Sequence, residues 1–321
     1  MGPLQGLSGS VLVTRDGSVL TELAQGTADI DTGTPCTAQT RFQLCSVSKQ
    51  FAAAAALLLV DSGHLDLAEP VARWLPAGPS AWQRITLHQL LSHTSGLGHW
   101  SEVPGLDPAQ SRSSAQQVAL ILQAPLRSEP GTTMHYSSPG FLLVGHIVAQ
   151  VSGQPYPDFV TGRILSPLGL TGTSVGGVPS GAPVARGYLA GRPVPAWDLD
   201  TMGGTGDIWS TAGDLTRFTV ALHGGGLVGS GSLRAMRTPH APLPADQAGD
   251  PQFSAGGYGY GMFSGDVGGH PAYYHPGDNP GYRSFVAWIP DLAASVVMLV
   301  NDEDTDVDNL IGQLIQVALK S

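Results

Sequence analysis

The chain of 321 residues is long enough for one large domain, or for two smaller ones that share a core. Its net charge of −10 and pI near 5.3 disfavour partners that need a basic surface, namely nucleic acid and anionic membranes. Hydrophobic residues make up 42% of the chain, and its 43 glycines and 25 prolines follow no period, which excludes collagen-like and low-complexity classes.

The sequence shows no targeting segment. No basic start followed by an apolar core precedes Arg15, and the longest apolar run, Phe51–Val60, is too short to span a bilayer. We therefore expect a cytoplasmic protein without membrane contact, although a mature form whose signal had been removed would look the same. The two cysteines, Cys36 and Cys45, are expected to be free thiols in that compartment.

The first predicted elements are two strands and a helix. The strands cover Gly9–Val13 and Val19–Leu23, and the Asp-Gly pair after Arg15 favours a hairpin turn between them. A helix rich in Ala and Leu runs through Phe51–Val60 and is expected to stop at Asp61-Ser62-Gly63. Because this helix is apolar on every face, it should be buried on every side.

The middle of the chain, from about residue 65 to about residue 231, alternates helical patterns with loops rich in Pro and Gly. Helices are predicted over Leu87–Leu91, Ala115–Leu122, Gly140–Val151, Pro157–Ile164 and Ala212–Leu222. The polar stretch His240–Ala255 is expected to form a surface loop.

Strand patterns return near the end of the chain, and a helix closes it. The strands are predicted over Tyr258–Phe263, Ala272–Tyr274, Tyr282–Trp288 and Ser295–Val300, and the helix over Asp306–Lys320. We therefore expect an α/β (α+β) fold whose sheet is mainly antiparallel, is built from both termini and is flanked by helices. Residues 1–64 and 245–321 would form this region, residues 65–244 an inserted and mostly helical region, and the active cleft would lie between them.

Ser46 and Lys49 stand at the start of the apolar helix. At positions i and i+3 they share one helix face. Burial disfavours an ammonium group, and a neutral amine beside a hydroxyl can take its proton and so activate a nucleophile. A buried helix with a serine cap and a snorkelling lysine explains a bare S-x-x-K pattern better, so the function depends on what the rest of the chain supplies.

Three further stretches are candidates for the same site. They are His135-Tyr136-Ser137-Ser138 before a helix, Gly203–Thr211 leading into another helix, and Tyr274-His275-Pro276-Gly277-Asp278 between two predicted late strands. A nearby lysine would lower the pKa of the Tyr136 phenol, and Gly277 would let the backbone approach a ligand closely. Asp207 and Trp209 are candidates to line the cleft, and Trp209 is equally well explained as a core residue. Each stretch alone is explained equally well as a turn or a cap.

Taken together and in this order, these stretches resemble the serine β-lactamase and penicillin-binding-protein superfamily. The branch is that of class C β-lactamases, D-Ala-D-Ala carboxypeptidases and family VIII esterases. Matching stretches run through nearly the whole chain: Gly9–Val13, Phe42–Lys49, Leu90–Leu97, Pro130-Gly131, Tyr136–Ser138, Pro167–Leu170, Ser210–Ala212, Asp214-Leu215 and His275–Gly277.

The resemblance implies a β-lactamase/transpeptidase-like fold and a set of roles. Ser46 would be the acylated nucleophile, and Lys49 and Tyr136 would share the proton transfers. His275 stands where the family has the Lys or His of its third motif, and as a neutral ring above pH 7 it would donate a hydrogen bond near the substrate. The backbone N–H groups of Ser46 and Asp278 would form the oxyanion hole. Neither a cofactor nor a metal is expected.

Two departures from the family pattern bear on the substrate. The second motif usually ends in Asn, which holds the amide on the acyl side of the substrate, and Ser138 is shorter and has no amide. This change disfavours efficient β-lactam hydrolysis and fits an ester or an unusual amide better. The family also usually has a helix before its first strand, and here only eight residues precede Gly9.

Other motifs carry weaker signals. The stretch Gly172–Gly176 matches the G-x-S-x-G elbow of α/β-hydrolases, but a loop rather than a buried strand leads into it, so Ser174 is not expected to be catalytic. His88 and His93 lie five residues apart and would not share a helix face as metal ligands do. The acidic run from Asp304 lacks the Gly and Glu that a calcium loop needs.

We therefore expect a serine hydrolase that forms an acyl-enzyme on a small-molecule ester, amide or peptide substrate, with esterase or D-peptidase/amidase activity. The alternatives are a β-lactamase, an acyltransferase that uses the same acyl-enzyme, and a catalytically weak penicillin-binding ligand sensor. The sequence does not determine the oligomeric state.

Overall fold

The computed structural model describes residues 4–76, 78–181, 183–195, 197–243 and 253–320. The strands, numbered in chain order, are β1 Gly9–Arg15, β2 Ser18–Gln25, β3 Thr27–Asp29, β4 Thr34–Pro35, β5 Phe42–Gln43, β6 Ser174–Val175, β7 Tyr188–Leu189, β8 Arg192–Pro193, β9 Ile208–Ser210, β10 Phe253–Tyr258, β11 Phe263–Val267, β12 His270–Asn279, β13 Tyr282–Ile289 and β14 Ala294–Val300. The α-helices are α1 Ser48–Asp61, α2 Leu87–Leu91, α3 Ser114–Ile121, α4 Ser138–Ser152, α5 Tyr156–Val160, α6 Ala212–His223, α7 Ser230–Arg237 and α8 Val307–Lys320.

The main sheet joins the two ends of the chain. Its seven strands follow the order β10-β11-β12-β13-β14-β1-β2, and every neighbouring pair is antiparallel. Strand β1 pairs with β14 on one side and with its hairpin partner β2 on the other. The turn of that hairpin has positive φ at Asp16 and Gly17, as the Asp-Gly pair predicts. The expected antiparallel sheet from both termini, flanked by helices, is confirmed.

Both faces of this sheet are covered, so all seven residues of the central strand β14 are buried. Along β14, Val297 and Leu299 face the large core that contains α1, while Val296, Met298 and Val300 face the smaller core formed with α8. This alternation follows from the period of two along a strand. Helix α8 packs on β1 and β14, and α6 packs on the same strands from the other face.

Helix α1 lies at the centre of the larger core. Eleven of its fourteen residues are buried, which agrees with the prediction from its apolar pattern. Phe51 of α1 stacks on Phe218 of α6 with ring centroids 3.6 Å apart. The helix contacts α4, α5 and α7 as well.

The strand predicted over Tyr258–Phe263 is wrong, because the chain turns there. Strand β10 ends at Tyr258 and β11 begins at Phe263. Gly261 between them has φ of +72°, and a Cβ there would clash with the backbone of Lys49. The close approach to α1 therefore requires glycine and forces the turn. Residues 244–252 of the predicted surface loop lie outside the described residues, and residues 253–255 belong to β10.

A second correction concerns the third motif. The predicted strand Ala272–Tyr274 is much longer, and β12 contains the whole stretch from His270 to Asn279. His275, Gly277 and Asp278 therefore project from inside a strand rather than from a loop between strands. Proline is tolerated in this strand although it cannot donate a ladder hydrogen bond at position 276.

Loss of the Phe51 side chain should leave a cavity between α1 and α6. We expect Phe51→Ala to lower the free energy of unfolding by about 3–5 kcal/mol. The matched control is Val220→Ala on α6, whose side chain is 45% exposed and should change stability by no more than about 0.5 kcal/mol. Urea denaturation measures both, and equal effects would contradict the central position of α1.

Candidate active site

Ser46 is held at the head of α1 by a strained turn. Cys45–Val47 form one turn of 3₁₀ helix, and α1 follows directly from Ser48. Cys45 adopts φ of +50°, which a residue with a side chain rarely does. The turn brings the chain from β5 into the helix, with Ser46 half-buried at the cleft and Cys45 fully buried. Burial also raises the pKa of the Cys45 thiol, so it stays protonated.

The sheet fixes this turn from below. The Ser284 hydroxyl donates to the carbonyl of Leu44 at 2.6 Å, and the Asn279 amide donates to Gln43 Oε1 at 2.8 Å. Any Cβ on Gly277 would overlap Ser284 Oγ and the Leu44 carbonyl. The sequence suggested that Gly277 allows close approach to a ligand; the structure shows a close approach to the segment that carries Ser46.

Lys49 is fully buried and contacts Ser46 directly. Its Nζ lies 2.9 Å from Ser46 Oγ and donates to the carbonyl oxygen of Thr205 at 3.0 Å. Burial lowers the pKa of Lys49 to about 7, against the opposing effect of Asp207. An amine at this pKa is partly neutral at pH 7, so it can accept the proton of the serine hydroxyl.

Tyr136 completes the group of three. Its hydroxyl is close enough to the Ser46 side chain to interact with it, and Lys49 Nζ lies 5.0 Å from the centre of its ring. The expectation that lysine lowers the pKa of this phenol is wrong: burial raises it instead, because the interaction with Ser46 offsets only part of the desolvation. The phenol is therefore neutral, and it can pass a proton on but does not start as a phenolate.

His275 lines the same cleft, but both of its ring nitrogens are engaged. Its Nδ1 lies 2.5 Å from the carbonyl oxygen of Pro276, and its Nε2 lies 3.0 Å from the Tyr258 hydroxyl. Since a carbonyl only accepts, Nδ1 carries the proton and Nε2 accepts from Tyr258. Burial and the nearby Lys49 lower the pKa of His275 to about 3, so it is neutral far below pH 7. As a donor to substrate, it would first have to release the Pro276 carbonyl.

Ser138 and Asp278 occupy different walls of the cleft. Ser138 is the first residue of α4, and its backbone N–H donates to His99 Nδ1 at 3.3 Å. The side chain of Asp278 is exposed and pairs with Arg283 at 2.7 Å, so a role of Asp278 in an oxyanion hole rests on its backbone N–H alone.

A cavity of about 810 Å³ contains the cleft and extends to residues of α8. Its lining joins Ser46, Tyr136 and Ser138 to residues of β12, with Trp100 and Trp197 as apolar walls. The size and the mix of aromatic and polar walls suit a small organic substrate.

Sequence reasoning missed His99 and misjudged Asp207. His99 lines the cleft beside Ser138, and only the fold brings the two together. Asp207, a candidate for the cleft wall, is fully buried near Lys49, and burial raises its pKa to about 7. Trp209 belongs to the core, in agreement with the alternative explanation of that residue.

The weaker motifs have structural explanations. Ser174 lies in the two-residue strand β6, which pairs with β9 and not with the main sheet. Cys36 and Cys45 are both buried free thiols. Within the described ranges, no group of three or more His, Cys, Asp or Glu side chains could hold a metal ion. None of the helices in those ranges combines the length and apolarity that crossing a bilayer requires.

Comparison with known proteins now places the chain. The sequence model of the Beta-lactamase family matches residues 3–319, and the chain belongs to this family. Penicillin-binding protein 4 of Amycolatopsis lactamdurans is 30% identical over 88% of this chain and 77% of its own length. Esterase EstB of Burkholderia gladioli is 34% identical over 50% of this chain, a match that spans 44% of the esterase.

Solved structures give the same answer at the level of the fold. D-amino acid amidase from Ochrobactrum anthropi SV3 superposes with a TM-score of 0.82 and 26% identity, over 98% of this chain and 95% of the amidase. A penicillin-binding protein from Bacillus halodurans superposes with a TM-score of 0.79 and 25% identity, over 98% and 95% of the two chains. The family and these relatives support a serine acyl-enzyme hydrolase in general.

The pKa of Lys49 sets the expected pH dependence. Since only the neutral amine accepts a proton, kcat/KM for an ester should rise with pH through a midpoint near pH 7. His275, neutral above about pH 3, should add no inflection in this range. Asp207→Asn removes the carboxylate that favours the ammonium, so the midpoint should move to lower pH. A midpoint that Asp207→Asn leaves in place would contradict this assignment.

Proposed function

We propose that the protein hydrolyses esters or amides of small acids through an acyl-enzyme on Ser46. The observation that carries the proposal is the 2.9 Å contact between Ser46 Oγ and a fully buried Lys49 amine whose pKa is lowered to about 7. A general base must lie within hydrogen-bond distance of the nucleophile and must have a pKa near the working pH, and Lys49 meets both criteria. The catalytic roles of Ser46, Lys49, Tyr136 and Asp278 are part of the proposal.

The proposed reaction has two balanced halves. Ser46 Oγ forms a bond to the carbonyl carbon while its proton moves to Lys49 Nζ, and the backbone N–H groups of Ser46 and Asp278 bind the developing oxyanion. When the bond to the leaving group breaks, the proton reaches the leaving oxygen or nitrogen through the neutral Tyr136 hydroxyl. Water then attacks the acyl carbon and gives a proton to Lys49 and Tyr136. When the bond between the acyl carbon and Ser46 Oγ breaks, that proton passes to Ser46 Oγ and the free acid is released.

The charges of the cleft favour an uncharged leaving group. Arg127 pairs with Glu102 at 2.9 Å, and Arg283 pairs with both Asp278 and Glu303 at 2.7 and 3.1 Å. Beside His275 the cleft offers Pro276, which has no donor, and the acidic Asp278. Both arginines among the described lining residues are therefore already paired, and a free carboxylate on the leaving group would find no unpaired charge partner. This arrangement supports esterase or amidase activity over carboxypeptidase activity.

The comparisons support the same choice without deciding it. Among the relatives, one is named an esterase and one a D-amino acid amidase, while others are named penicillin-binding proteins. The absence of an amide side chain at Ser138 weakens the β-lactamase alternative. An acyltransferase would use the same Ser46 acyl-enzyme. Transfer would replace hydrolysis if an alcohol or amine, instead of water, were bound beside the acyl carbon.

The acyl-enzyme can be observed directly. We expect intact-mass spectrometry after mixing with a p-nitrophenyl ester to show one added acyl group, and steady release of p-nitrophenol to follow. Ser46→Ala should lose both the adduct and turnover, a loss of at least about 10³-fold. Ser174→Ala, which alters the serine of the unused G-x-S-x-G stretch, is the matched control and should retain both. A single burst without turnover would instead support the ligand-sensor alternative, and an adduct on Ser46→Ala would exclude Ser46 as nucleophile.

The leaving-group preference is tested with two amides that differ in one charge. In N-acetyl-alanyl-glycinamide and N-acetyl-alanyl-glycine, the bond to be cleaved is the same amide bond between alanine and the glycine unit. Both compounds are used with the alanine enantiomer that reacts faster. We expect kcat/KM to be at least about tenfold higher for the glycinamide, since a carboxylate that leaves water without a charge partner loses at least about 1–3 kcal/mol of solvation, which the neutral amide does not. A preference for the free carboxylate would point to a carboxypeptidase.

A further inference from the structure

Two histidines flank Tyr136 and are held by consecutive backbone groups at the head of α4. The Ser137 N–H donates to His93 Nδ1 at 3.1 Å, and the Ser138 N–H donates to His99 Nδ1 at 3.3 Å. The Tyr136 ring lies 4.4 Å from the His93 ring and meets the His99 ring edge-on at 5.6 Å. The start of α4 therefore fixes the orientation of both imidazoles.

These hydrogen bonds also determine where each ring carries its proton. Because Nδ1 accepts, a neutral ring must bear its hydrogen on Nε2. Burial and the nearby Lys49 lower the pKa of His99 to about 4, so the ring is neutral at pH 7. His93 is 1% exposed and has no access to the cleft, whereas His99 lines it. Of the two, His99 is thus the one that offers a fixed N–H donor to a bound molecule.

The backbone of His99 is equally well fixed. Its N–H donates to Glu102 Oε2 at 2.8 Å, and Glu102 in turn pairs with Arg127 at 2.9 Å. The loop and the ring are therefore both constrained before substrate arrives, which reduces the entropy lost on binding. Ser138, which has a short hydroxyl side chain where the family usually has the amide of Asn, contacts the His99 ring through its backbone N–H.

We propose that the Nε2–H of His99 donates a hydrogen bond to an acceptor oxygen in the acyl part of the substrate, next to the carbonyl that Ser46 attacks. The proposal rests on the acyl-enzyme function proposed above, and it places the acyl part of the substrate against the part of the cleft that His99 lines. A ring with only a donor available matches a carbonyl and mismatches an ammonium. The preferred substrates are therefore esters or amides of N-acylated amino acids rather than of free amino acids.

Two esters with one leaving group isolate this contact. The p-nitrophenyl esters of N-acetylglycine and of pentanoic acid have acyl chains of equal length, and only the first carries the acceptor carbonyl. We expect His99→Phe to lower kcat/KM for the N-acetylglycine ester about tenfold more than for the pentanoate ester. His99→Gln, whose amide can accept from the Ser138 N–H and donate into the cleft, should restore most of the ratio. His64→Phe, an exposed histidine after α1, is the matched control and should leave the ratio unchanged.

The outcomes separate the two proposals. An equal loss with both esters in His99→Phe, or no recovery in His99→Gln, would show that His99 only supports the fold of the site and would overturn its role in binding. Because the pentanoate ester has no acceptor for His99, its turnover by the wild-type protein tests the acyl-enzyme function independently of the His99 contact. If the wild-type protein acylated with neither ester, both proposals would fall.

Discussion

The burial of one amine is the constraint on which the site depends. Lys49 lies in the first turn of a helix that is enclosed by the core, and among the described residues its side-chain hydrogen-bond partner is the Ser46 hydroxyl. Desolvation disfavours the ammonium, and Asp207, the carboxylate that acts on Lys49 among the described residues, is itself driven toward its neutral form by burial. The surroundings therefore keep a base of moderate strength 2.9 Å from the hydroxyl that it can deprotonate. Exposure of the same lysine to water would remove this property.

The rest of the fold keeps that contact in register. Strands from both ends of the chain form one sheet, and β12 and β13 reach across it to the segment before Ser46 through Asn279 and Ser284. Gly277 lets β12 come close enough for these bonds to form. On the other side, the head of α4 presents Tyr136 to Ser46 and holds two histidines through its first backbone N–H groups. The cleft lies between these strands of the sheet and the start of α4.

Much of this could be predicted from local patterns, and most of the failures share one cause. The apolar run of α1, the late strands, and the order of the Ser46, Tyr136 and His275 stretches are all visible in the sequence. The turn at Gly261, the length of β12 and the pairing of His99 with Ser138 depend on contacts between distant residues, which no local pattern encodes. The expectation that a nearby amine lowers the pKa of Tyr136 was wrong for the same reason, since burial raises that pKa, and burial also places the titration of His275 well below neutral pH. Helix α7 was not predicted, because two glycines and two serines lie in or next to its first turn.

The central claim is that Lys49 is a weak base in the free protein, and the chain is well suited to a direct test. It contains only two lysines, Lys49 and Lys320, so a protein labelled with ¹³C at the lysine ε-carbon gives two signals, and Lys49→Arg assigns them. We predict that the Lys49 signal titrates with a midpoint near pH 7. A Lys49 midpoint above pH 9 would mean that the amine stays protonated at neutral pH, and the account of Ser46 activation would be contradicted.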